Sequence, residues 1–98
     1  MSCPIRTLTP LAQDILRKTQ QHHREYYATT TNTTIHSHPS GTPIPSSIDV
    51  QTTRRLGKKN LCIVRVPQRE VVCYNLQKIG ATRDSDLIAG KTVCRWKL

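Results

Sequence analysis

A chain of 98 residues reads as one domain, spanning 1–98. With 36% hydrophobic residues, no Phe and one Trp, it can bury only a modest core of Ile, Val, Leu and Tyr, which a bound metal would supplement. Fifteen Lys and Arg against six Asp and Glu give a net charge of +9, which favours acidic partners, while the absence of any apolar run near the roughly 20 residues of a bilayer span excludes a transmembrane helix.

The first expected element is an amphipathic helix. Leu8, Leu11, Ala12, Ile15, Leu16 and Thr19 repeat at helical spacing, Thr9 suits the N-cap and Pro10 the first helical position, and the pattern ends near His23. The segment from Glu25 to His38, rich in Thr and Tyr, reads as strand with a turn near Asn32. Pro39 to Pro45 is a loop of Pro, Gly, Ser and Thr, followed by a short helix from Ser47 to about Lys58 that Gly57 helps to stop. Asn60–Val66 and Glu70–Leu76 form a hairpin around Pro67-Gln68. A polar stretch then leads to a final edge strand, Thr92–Lys97. The fold class is therefore α/β (α+β): a small mixed or mainly antiparallel sheet flanked by two helices.

The cysteines Cys3, Cys62, Cys73 and Cys94 contain no CxxC, so neither a zinc knuckle nor a thioredoxin-type motif is present. The hairpin sets Cys62 opposite Cys73. With no basic-then-hydrophobic leader pattern at the N-terminus, the expected location is cytoplasmic, where two buried thiols are favoured over a disulfide. The basic residues are scattered and not interleaved with aromatics, so a solvated basic face is favoured over a nucleic-acid groove. An exposed Trp96 near the end of the chain would mark a contact surface.

Chemistry concentrates in His36-Ser37-His38-Pro39, followed six residues later by Ser46-Ser47-Ile48-Asp49. Histidines at i and i+2 of an extended segment project to one side, so both imidazoles can meet one ion, and Asp49 can add an oxygen. Two His and one carboxylate leave a tetrahedral position open, which is the arrangement of a catalytic zinc. Each residue also has a plain structural role open to it. The histidines suit a Thr-rich strand surface, Ser46-x-x-Asp49 suits a helix N-cap, and Glu25 with His22 and His23 suits a solvated helix end.

The His-Ser-His-Pro, six-residue, Ser-x-x-Asp spacing resembles the signature of the JAMM (MPN-plus) zinc metalloproteases, and Ser40-Gly41 with Pro45-Ser46 also resembles the RadC branch. The resemblance is best over residues 35–76, with 1–34 as a shortened N-terminal part and 77–98 as a C-terminal extension. It implies a truncated JAMM core of the cytidine-deaminase-like type, with zinc on His36, His38 and Asp49, and Ser46 stabilising the tetrahedral intermediate. It also implies an upstream Glu as general base, and Glu25 is the only Glu before the motif, separated from His36 by ten residues. A tight turn near Thr30 and Thr31 would set Glu25 opposite His36. An alternative alignment, with the helix as the family's second, leaves that Glu without a counterpart. The activity implied is hydrolysis of peptide or isopeptide bonds, with conjugates of ubiquitin-like modifiers as a substrate class. The competing readings are a degenerate, inactive metal-binding domain and a RadC-like basic module acting at DNA.

Overall fold

The computed structural model describes residues 3–76 and 92–98. Within them the order is a 3-10 turn (Pro4–Leu8), α1 (Thr9–His22), β1 (Tyr27–Thr29), β2 (Thr33–His38), α2 (Ser47–Arg55), β3 (Asn60–Arg65), β4 (Glu70–Asn75) and β5 (Thr92–Lys97). The strands form one sheet in sequential order. β2 and β3 run parallel, joined through α2, and every other neighbouring pair is antiparallel. The expected mixed sheet with two helices is thus present. The predicted polar stretch before β5 lies outside the described residues.

Strand alternation divides the core into two faces. On one face Ile35, Cys62, Val64, Val71, Cys73 and Trp96 pack beneath Ala12, Ile15 and Leu16 of α1. On the other, Leu61, Ile63, Val72, Tyr74 and Leu76 pack against Val50 of α2. Because β3 and β4 are covered on both sides, Leu61-Cys62-Ile63-Val64 and Val71-Val72-Cys73-Tyr74 are continuously apolar rather than alternating. β2 is completely buried yet carries Thr34, His36 and His38 on its α2-facing side. Polar side chains inside a sheet need partners, and they point to the site.

Several local expectations shift. Leu8, not Thr9, occupies the N-cap of α1, because the chain already turns through Pro4–Leu8 and the Thr9 hydroxyl donates back to the Arg6 carbonyl at 2.6 Å. The end of the helix falls at His23 as expected: this residue adopts a left-handed φ of 54° and donates its N–H to the Thr19 carbonyl. Helix α2 ends at Arg55, and Gly57 follows at φ 71°. Tyr27, rather than Glu25, stands opposite His36, because the β1–β2 turn closes from Thr30 to Thr33.

Trp96 is 6% exposed and belongs to the core under α1, so it marks no surface. The thiol reading is also corrected: Cys62 and Cys73 are directly opposed with Cα atoms 4.1 Å apart and form a disulfide, and Cys3 pairs with Cys94. Among the described residues there is no free cysteine. No helix among them is long and apolar enough to cross a membrane.

Candidate metal centre

The site is assembled by the β2–loop–α2 connection. His36 and His38 are two residues apart on β2, so the pleat aims both rings toward α2, with Ser37 between them on the opposite face. Ser37 anchors the strand there: its hydroxyl accepts from Thr19 at 2.7 Å and from the Tyr26 N–H at 2.9 Å. On the site side, Thr34 and Thr53 share a buried hydrogen bond of 2.6 Å, and the Thr53 hydroxyl lies 2.9 Å from the Asp49 carbonyl. These contacts fix α2 against β2.

Ser46 and Asp49 form a reciprocal capping box at the start of α2. The Asp49 N–H donates to the Ser46 hydroxyl at 3.1 Å, and the Ser46 N–H donates to Asp49 Oδ2 at 2.9 Å. That same Oδ2 lies 3.0 Å from His36 Nε2 and 3.3 Å from His38 Nε2, and the two Nε2 atoms are 3.0 Å apart. Two atoms bound at about 2.0–2.1 Å to one tetrahedral ion are separated by roughly 3.3 Å, so the triangle has the size of a zinc ligand set.

The hydrogen bonding of His38 strengthens the fit. Its Nδ1 is 2.7 Å from the Thr42 carbonyl, which only accepts, so Nδ1 carries the proton and Nε2 of the neutral ring presents a lone pair to its neighbours. One proton on His36 cannot satisfy His38 Nε2 and the Asp49 carboxylate together; a cation at their centre can. The charges agree. Burial pushes His38 toward the neutral form, but Asp49, the Thr42 carbonyl and the charge of Glu25 outweigh it and raise its pKa. Burial likewise opposes ionisation of Asp49, but hydrogen bonds from His36, His38 and the Ser46 N–H hold its carboxyl far below the usual carboxylate range. Among the described residues, His36, His38 and Asp49 form a group able to hold a metal ion.

The loop that returns the chain to α2 is tied to the sheet. Arg65 donates from Nε to the Gly41 carbonyl and from Nη1 to Glu70, each at 2.7 Å, and the Tyr74 hydroxyl donates to the Pro43 carbonyl. Gly41 has φ 85°, a backbone conformation that favours glycine, and a Cβ there would displace the Gln68 amide.

Beside the triad lies a cleft of about 370 Å³ whose walls include Glu25, Tyr27, Thr34, His36, Asp49 and Leu56. Glu25 therefore shares the cleft with two members of the triad, although it lies outside β1 and is exposed. Ser46 is exposed too, and its hydroxyl, while accepting from Asp49, retains a proton to donate. His22 and His23 are exposed, His22 contacting the Tyr26 ring.

Sequence reasoning missed Thr42, Thr53, Arg65 and Tyr74. The Arg65 and Glu70 pair was detectable, since the predicted hairpin sets those opposite charges across from each other. The Thr42 carbonyl is a backbone group and left no side-chain signal. No family model matches the chain, and comparison with curated proteins and with solved structures finds no match.

Proposed function

We propose that this protein is a zinc-dependent hydrolase of peptide or isopeptide bonds built on a JAMM-like core. The observation that carries the reading is the convergence of His36 Nε2, His38 Nε2 and Asp49 Oδ2 within 3.3 Å beside a cleft that also contains Glu25. When bound, zinc supplies Lewis-acid polarisation of the scissile carbonyl and of water. Glu25 takes the proton of the attacking water and delivers it to the departing amine, the two-way service of a positioned carboxylate. Ser46 donates its hydroxyl proton to the developing oxyanion, a contact worth about 3 kcal/mol where such donors have been removed. Tyr27 and Leu56 offer apolar walls to the residues flanking the bond. Resemblance nominates conjugates of ubiquitin-like modifiers as substrates.

The exposure of Glu25, and its placement ahead of the start of β1, favour one competing reading: a metal-binding domain without hydrolytic activity. Glu25→Gln separates the two. On the proposed reading, cleavage of a fluorogenic peptide or isopeptide by the zinc-loaded protein falls by a factor of about 100 or more while zinc content is unchanged. Equal activity in wild type and variant removes Glu25 from the reaction, and no cleavage by wild type supports the competing reading.

A further inference from the structure

The face of the sheet opposite the histidines holds a second constellation. Cys62 of β3, Cys73 of β4 and Cys94 of β5 occupy one row: Cys73 is in register with Cys62 on one side and with Cys94 on the other. Strand alternation turns all three toward α1, where they join the same apolar cluster, and Cys3 reaches the row from the start of the chain by its disulfide to Cys94. The register irregularity between β4 and β5 lies beyond Cys73 and Cys94, toward Tyr74 and Thr92, and leaves their pairing in place.

The row makes Cys73 a shared position. Opposed residues of antiparallel strands have Cα atoms about 4.5–5.5 Å apart, within or at the edge of the span that a disulfide bridges, so Cys73 can bond either neighbour without strand movement. The two existing bonds also differ in access. Cys62 and Cys73 are 0% exposed, whereas Cys3 and Cys94 are partly open to solvent. A reductant therefore meets the outer pair first.

We propose that Cys3, Cys94, Cys73 and Cys62 form a thiol–disulfide exchange site, entered by a dithiol at the Cys3–Cys94 bond and extended inward through Cys73. The dithiol attacks and reduces the outer bond, becoming a disulfide and leaving Cys3 and Cys94 as thiols. The Cys94 thiolate then attacks Cys73 Sγ, the Cys73–Cys94 bond forms, and Cys62 leaves as a thiolate that takes up a proton. Two electrons have entered, one disulfide remains, and Cys3 and Cys62 are the free thiols. The exchange frees the 3-10 turn from β5 and moves the surviving cross-link from β3–β4 to β4–β5.

The test uses the full oxidised chain treated under native conditions with one equivalent of dithiothreitol, quenched with acid, labelled with N-ethylmaleimide and mapped by non-reducing mass spectrometry. The expected product carries label on Cys3 and Cys62 and a Cys73–Cys94 disulfide. In Cys94→Ser, whose relay is broken, Cys62 should be labelled more slowly by about tenfold or more. Label confined to Cys3 and Cys94 with Cys62–Cys73 intact overturns the proposal, as do equal Cys62 labelling rates in wild type and variant, or four free thiols after oxidation. The wild-type map decides the matter by itself if the variant does not fold.

Discussion

Asp49 performs two tasks with one oxygen. Asp49, the third residue of the helix, accepts the Ser46 N–H at Oδ2 while this oxygen faces both imidazoles, so the interaction that starts α2 also orients a candidate metal ligand. The protonation logic gives an opposed pair of pH profiles. In the metal-free protein the raised pKa of His38 means that its pairing with Asp49 contributes stability fully below the ordinary imidazole range and loses it as pH rises through the folded value. The depressed carboxyl keeps its share until pH falls far below the carboxylate range. Zinc, by contrast, must displace protons from the histidines, so its affinity should fall as pH drops from about 7.5 to 5.5. Thermal unfolding with and without zinc across that range should show the gain from zinc shrinking toward acid; a gain independent of pH would remove the histidines from the site. Ser46→Ala removes the hydroxyl that accepts the Asp49 N–H and should cost about 1 kcal/mol of stability, read by denaturant unfolding; it should weaken zinc binding because the first turn of α2 loosens, although the Ser46 N–H that holds Asp49 Oδ2 is retained. Unchanged stability and unchanged zinc binding would show that the cap does not position Asp49.

At the scale of elements, the β2–α2–β3 unit is held by polar pairs that cross from one element to another. Thr53→Val removes the Thr34 partner and the contact to the Asp49 carbonyl, leaving a buried hydroxyl unsatisfied. The expected cost is about 1–3 kcal/mol, and zinc affinity should fall with it because α2 loosens against β2. A stable Thr53→Val with unaltered zinc binding would show that this contact does not set the site. Such pairs explain what was legible beforehand. The β3–β4 hairpin, the β5 bounds, the α1 core stripe and the convergence of His36, His38 and Asp49 followed from local periodicity and spacing, because apolar alternation and i, i+2 projection are short-range rules. The Thr19–Ser37 and Thr34–Thr53 bonds join residues 18 and 19 positions apart and carry no local signature. The offset of the α1 cap and the register of Tyr27 against His36 depended on how neighbouring turns close. The burial of Trp96 has a related cause: a strand at the edge of a sheet still has one face covered by α1.

For the whole molecule, one sheet separates two chemistries, a His-His-Asp centre beneath α2 and a row of cysteines beneath α1. The net charge of +9 supplies a further test at this scale. If the chain is a basic module acting at DNA, its affinity for duplex DNA, measured by fluorescence anisotropy, should fall steeply between about 50 and 200 mM salt. Undetectable or salt-independent binding would dismiss that reading and leave the charge as a solvated basic face. The most direct measurement of the central claim is zinc stoichiometry, determined by elemental analysis after zinc loading and exhaustive dialysis, for wild type and for His36→Ala, His38→Ala and Asp49→Ala. The account predicts one zinc per chain in wild type and loss of it in each variant. Zinc-free wild type, or full zinc content in the variants, would contradict it.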